Sequence, residues 1–139
     1  MMSSSESGPP NGPLQAAISN AVVRTMSEYT GRGPTKARTT ITHDWVFVTL
    51  EDTLTKGERK LAEGGRAGSV MQTRRDFQEA MEEDLTRLVE EMTGRKVLAF
   101  MSANHVNPDV AIEVFALAPT ASDGAGRRRA DGAGQRRAD

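Results

Sequence analysis

The residues best able to do chemistry in this 139-residue chain lie in three short stretches. The first is Gly31-Arg32-Gly33-Pro34-Thr35-Lys36-Ala37-Arg38. Glycines let backbone N–H groups approach an anion, and Arg32, Lys36 and Arg38 would neutralise it. A phosphate, a carboxylate or bicarbonate suits such a loop, with Gly31, Arg32, Gly33, Lys36 and Arg38 as its anion-binding or interaction residues. No Gly-Lys-Ser/Thr opens a helix there, so it is not a P-loop. The same residues also read as a helix stop followed by an edge strand charged against aggregation. The second stretch is Glu51-Asp52-Thr53. Paired carboxylates at a strand end hold a cation or act as acid and base. They equally complement the positive N-terminus of a following helix. The third is Asn104-His105 with Asn107 and Asp109. His43 and His105 are the only histidines and fall on different hairpins, short of the three or four converging ligands of a metal site. There is no cysteine and no Ser–His–Asp spacing, so no nucleophile stands out. The expectation is a protein with no catalytic residues, no metal and no cofactor.

Composition narrows the class. The formal net charge is −1, which marks neither a nucleic-acid binder nor a membrane-surface binder. The lack of cysteine removes disulfides and thiolate metal sites and fits a reducing cytoplasm. No run of 18 apolar residues offers a membrane span. The start, MMSSSESGPPNGP, has neither the basic nor the apolar region of a secretory signal. These features point to a cytoplasmic protein, at most peripheral to the inner face of a membrane. Residues 1–13 are expected to be a disordered tail, 14–118 a single domain, and 119–139 a second disordered tail. That last tail repeats DGAGRRRA as DGAGQRRA, rich in Arg and Gly and without apolar content to fold.

The elements that would position these residues follow from periodicity. Leu14, Ile18, Ala21, Val22, Met26 and Tyr29 recur at helical spacing over 14–30, and Gly31, Gly33 and Pro34 end that helix. Residues 37–50 form a hairpin turning at His43-Asp44. Thr53 or Thr55 caps a short helix to about Glu63, stopped by Gly64-Gly65. A long helix follows over 69–95, capped by Ser69 and ended by Gly94. Its apolar stripe is Val70, Phe77, Met81, Leu85, Leu88 and Met92. The solvent face carries Arg74, Arg75, Glu79, Glu82, Glu83, Arg87, Glu90 and Glu91. A second hairpin runs over 96–104 and 110–117 around Asn107-Pro108-Asp109.

The two halves echo each other. Thr30-Gly31-Arg32 and Thr93-Gly94-Arg95 each leave a helix and lead into a hairpin. The order αββ, α, αββ predicts an α+β fold: a four-stranded antiparallel sheet of two hairpins with two long helices on one face. Val46, Val48, Leu50, Val110, Ile112 and Val114 would meet the helices. Trp45, Phe47, Phe115 and Leu117 would then lie on the outer face as an aromatic patch. Either the short helix, through Leu54 and Leu61, or another subunit would cover it. Trp45, Phe47 and Phe115 are therefore the candidate interface of a homodimer or a heteromeric contact.

Two resemblances follow. Gly65-Arg66-Ala67-Gly68 between two predicted helices looks like the GXXG loop with which KH domains clamp single-stranded nucleic acid. The negative domain charge and the extra strand weigh against nucleic acid as a partner. More extensively, the stretch from about Ile18 to Leu117 resembles the MpsC-type family through five blocks. These are YTGRGPTKARTTI (29–41), LEDTLTKGER (50–59), RRDFQEAM (74–81), TGRKVLAFMS (93–102) and NHVNPDVAIEVF (104–115). The resemblance implies a small soluble, non-catalytic accessory or regulatory subunit of a sodium-translocating, membrane-potential-generating system. It also implies a link to inorganic-carbon uptake beside a membrane subunit. Glu51, Asp52, Thr53, Asn104, His105 and Asp109 are positions where the chain matches the family blocks, without an assigned role.

Overall fold

A computed structural model describes residues 11–120. The tails expected at 1–13 and 119–139 lie almost wholly outside the described residues. Helix α1 (Gly12–Thr30) carries Pro13 in its first turn, where a missing N–H is no loss. Strands β1 (Lys36–Thr42) and β2 (Trp45–Glu51) form the first hairpin. Helices α2 (Lys56–Glu63) and α3 (Ala67–Thr93) follow, then strands β3 (Val97–His105) and β4 (Val110–Leu117). The sheet is antiparallel throughout, in the order β1-β2-β4-β3. Helix α1 packs over β1, α3 packs over β3, and the two helices pack on each other. The α+β architecture expected from the element order is the one found.

The core lies between the helices and one sheet face. Ile18, Val22 and Met26 of α1 meet Met81, Leu85 and Val89 of α3 over Val46, Val48, Leu50, Ala111, Phe115 and Leu117. Phe77, Leu88 and Met92 of the expected stripe flank this cluster half-buried, while Val89 is fully buried.

Four details differ from the sequence reading. Helix α3 starts two residues before Ser69, directly after Gly65 (φ +85°) has reversed the chain. Ser69 is therefore inside the helix, where its carbonyl accepts the Thr73 hydroxyl at 3.0 Å, and is not the cap. Arg74 is buried, although its charge suggested the solvent face. The phase of β4 is the reverse of that expected. Ala111, Glu113, Phe115 and Leu117 point inward, so Phe115 is a core residue and not an interface residue. Cross-strand pairing is the cause: Phe115 lies opposite Val46 and Glu113 opposite Val48, both inward-facing on β2. Directly opposed residues share a face. Finally, α2 packs on α3 and leaves the outer sheet face open. Leu54 is buried beside it, but Leu61 is 49% exposed.

The helix exits repeat as structure. Gly31 (φ +83°) and Gly94 (φ +69°) take the left-handed conformation and donate to Ser27 and Glu90 carbonyls at 2.8 and 2.9 Å. The Thr30 hydroxyl donates to the Met26 carbonyl at 2.9 Å, and the Arg32 N–H donates to that hydroxyl at 3.3 Å. Thr93 repeats both bonds with Val89 and Arg95, at 2.7 and 3.2 Å.

Phe115→Ala should lower stability by about 3–5 kcal/mol, and Leu85→Ala by about 2–5 kcal/mol, as for other buried truncations. Urea denaturation reads both. An unchanged midpoint for Phe115→Ala would return that ring to the outer face.

Candidate functional site

Two arginines leave the helix exits and clamp the ends of the central strands. Arg32 donates to the Asp52 carboxylate at 2.7 Å and also to the Asp52 carbonyl. Arg59 of α2 donates to the other Asp52 oxygen at 3.0 Å. Arg32 first, then Arg59, then a hydrogen bond from Thr35 hold the Asp52 carboxyl down at about 2. These bonds hold Asp52 itself at φ +61°, a conformation non-glycine residues rarely adopt. Arg95 mirrors Arg32 at the far end. It donates to Asp44 at 2.6 Å, to the His43 carbonyl at 2.8 Å and to the Ala118 carbonyl at 2.7 and 2.9 Å.

Asp109, in the second hairpin turn, completes the first clamp. Its carboxylate accepts from the Thr53 N–H and hydroxyl at 3.0 and 2.8 Å and from the Leu54 N–H at 3.0 Å. The Asp52 N–H donates to the Asp109 carbonyl at 3.1 Å. The turn of the β3–β4 hairpin is thereby fixed to the segment leading into α2. Thr55 caps that helix in a reciprocal box with Glu58.

Each candidate now has a place. Gly31 caps α1, and Gly33 sits so close to α1 that a Cβ would meet Val23 Cγ1 at 2.9 Å. Arg32 is committed to Asp52, whereas Lys36 and Arg38 project from β1 onto the outer face. Lys36 stands 4.0 Å from Glu51 in an exposed pair. The basic loop thus divides into a clamp and two rim cations. Asp52, Thr53 and Asp109 converge, while Asn104 turns inward and His105 stays exposed. The His105 ring donates through Nδ1 to the Pro108 carbonyl at 2.8 Å. His43 and His105 lie at opposite ends of the sheet. Trp45 and Phe47 stack on the outer face with centroids 6.1 Å apart, and Ile112 and Val114 of β4 lie between them and Met101 of β3. Gly65 makes the left-handed turn into α3, but Gly68 is helical, so the GXXG stretch is not one open loop.

A polar cluster inside the protein was missed. Glu113 is fully buried beneath α3 beside Arg74 and Gln78, with Ser102 opposite it on β3. Arg74 donates to Glu58 at 3.2 Å, and the same Glu58 oxygen accepts the Thr55 N–H at 2.8 Å. Among the described residues neither Glu113 oxygen has a hydrogen-bond partner. Burial raises its carboxyl to about 7, against smaller opposing pulls from Ser102, Gln78 and Arg74. Ser102 and Gln78 are thus near enough to favour the charged form without reaching hydrogen-bond geometry. The signal for Arg74 was in the spacing: it follows Val70 by four residues and precedes Met81 by seven, on the stripe itself.

This is a small α+β domain whose charged residues brace its hairpins and whose sheet, among the described residues, carries helices on one side. The chain matches the MpsC family, described as a Na+-translocating membrane potential-generating system, over residues 11–119, and it belongs to that family. It is 32% identical over 91 residues to the uncharacterized protein YbcI of Bacillus subtilis (strain 168), covering 64% of this chain and 73% of YbcI. No solved structure matches it significantly.

The two perturbed carboxyls act on stability in opposite directions. Glu113 keeps its proton to about pH 7 when folded but releases it near 4.5 when unfolded. Its contribution is full below 4.5, falls as pH rises and levels off above about 7. Glu113→Gln should therefore match wild type near pH 4.5 and exceed it by on the order of 3 kcal/mol at pH 8. Asp52 contributes stability above 3.8 that is lost as pH falls through about 2. Urea melts across pH check both, and parallel profiles for wild type and Glu113→Gln would refute the first.

Proposed function

We propose that this chain is a non-catalytic accessory or regulatory subunit of a membrane-associated system for sodium translocation or inorganic-carbon uptake. It acts through protein–protein contacts made by the outer face of its sheet. The supporting observation is that face: Trp45, Phe47, Ile112, Val114 and Met101 form an apolar surface on the side away from both long helices. Contiguous exposed apolar surface on a small domain marks an interaction site. Lys36 and Arg38 lie at its rim on β1. Among the described residues no helix is long and apolar enough to cross a membrane, so transport would be carried out by the partner.

Aromatic residues at the centre of an interface carry most of its energy, and rim charges tune rate and salt dependence. Phe47→Ala should weaken partner capture by about 2 kcal/mol, roughly thirtyfold, with little loss of fold. Lys36→Ala should weaken it less, and chiefly at low salt. The test is capture of the tagged full chain's membrane partner from detergent-solubilised native membranes, with mass spectrometry. Equal recovery of that membrane protein by wild type and Phe47→Ala would overturn the proposal.

A KH-like nucleic-acid-binding role is the second reading, favoured by the left-handed Gly65 between α2 and α3. Salt-sensitive binding of single-stranded RNA, removed by placing Asp at Arg66 and Ala67, would establish it. No such binding is expected at physiological salt.

A further inference from the structure

The two edges of the sheet are built differently. At the β1 edge, Lys36 and Arg38 are exposed, and the Ile41 N–H is taken by Gln15 Oε1 of α1 at 2.9 Å. Charged side chains and a covering helix residue are ways in which natural edges avoid pairing with other chains. The β3 edge has less of this: a β-bulge lies at its start, between Val97 and Ala99, and the register with β4 is regular from Ala99 to His105. Its sequence, Val97-Leu98-Ala99-Phe100-Met101-Ser102-Ala103-Asn104-His105, carries no lysine, arginine, aspartate, glutamate or proline over nine residues. Among the described residues, the Val97 N–H at its start is guarded, by Glu90 Oε2 at 2.9 Å. Leu98 and Met101 are 62% and 47% exposed. β3 has β4 on one side and is the outermost strand on the other. Helix α3 covers its inner face and leaves its outer face bare.

We propose that β3 pairs antiparallel with β3 of a second copy of this chain, joining the two sheets into one of eight strands. The occupant follows from the strand itself. An uncharged strand offers nothing to select a charged partner, and its own copy matches it in length and polarity. Antiparallel pairing of a strand with itself is two-fold symmetric, so the same patch serves both copies. Pairing centred on Met101 over Ala99–Ala103, past the bulge between Val97 and Ala99, sets Met101 opposite Met101 of the second copy, with Ala99 facing Ala103 on either side. Opposed residues share a face, so all six side chains extend the apolar outer surface across the seam. The assembly then stops at two. Each end of the joined sheet is a β1 edge, with Lys36, Arg38 and the Gln15 bond against further addition. This pairing uses an edge, whereas the proposed partner surface uses the face, so each stands without the other.

The test uses the purified full chain without any partner. Wild type should sediment as a dimer at high micromolar concentration. Met101→Lys sets two like charges against each other and should weaken dimerisation about tenfold or more, with an unchanged circular dichroism spectrum. Because the chain has no cysteine, single cysteines report the seam cleanly. Met101→Cys should form an intermolecular disulfide under mild oxidation, and Phe47→Cys, two strands away from that edge, should not. A wild-type monomer would overturn the proposal. So would a dimer that Met101→Lys leaves intact, or one that crosslinks through Phe47→Cys and not through Met101→Cys. If Met101→Lys fails to fold, the cysteine pair still decides. Equal capture of a membrane partner by wild type and Phe47→Ala, with the dimer intact, would count against the proposed function and not against this pairing.

Discussion

The pairing of the two central strands is the constraint from which most of this structure follows. Once Val46 of β2 lies opposite Phe115 of β4, alternation points Glu113 and Leu117 inward as well. A carboxyl then sits beneath α3, and burying a charge without partners is costly. The surrounding residues read as the response. Arg74 and Gln78, one turn apart on α3, face Glu113, and Ser102 stands across from it on β3. Arg74 in turn binds Glu58, which caps α2. The register of one strand pair is thus transmitted to the position of a helix at the edge of the domain. Raising the Glu113 carboxyl to about 7 keeps it neutral through most of the acidic range, which limits the cost of its burial.

The two helix exits solve a second problem, which is to fix hairpins that have helices on one side only. In each, a threonine hydroxyl bonds back to the preceding turn and receives the arginine N–H, a left-handed glycine turns the chain, and the arginine reaches a hairpin. Arg32 holds the end of β2 through Asp52. Arg95 holds the β1–β2 turn and the end of β4 together. Asp109 ties the remaining turn to the start of α2. Arg32, Asp52, Arg95 and Asp109 are therefore structural fasteners, and among the described residues no element covers the outer sheet face. A domain braced in this way can present an apolar sheet face without a second layer among its described residues.

The element order, the helix stops and the amphipathic stripe of α3 were legible in the chain because they depend on neighbours three to seven residues apart. So was the inward set Val46, Val48 and Leu50 on β2. A cap at Thr53 or Thr55 and the repeated Thr-Gly-Arg exits are local for the same reason; the fold selects Thr55, in a box with Glu58. The place of Phe115 was not legible. Val110 to Leu117 is apolar at most positions of both phases, so alternation alone does not say which face is inside; the pairing with β2 does. Arg74 and Glu113 escaped because charge argues for solvent, and only their mutual proximity across α3 and β4 makes burial tolerable. Arg32 read as an anion-binding residue because its carboxylate partner, Asp52, lies twenty positions away. What the sequence by itself determined, then, were elements set by short-range spacing. Tertiary structure alone decided the inward face of β4, the burial of Arg74 and Glu113, and the partner of each arginine, because those depend on groups brought together from distant parts of the chain.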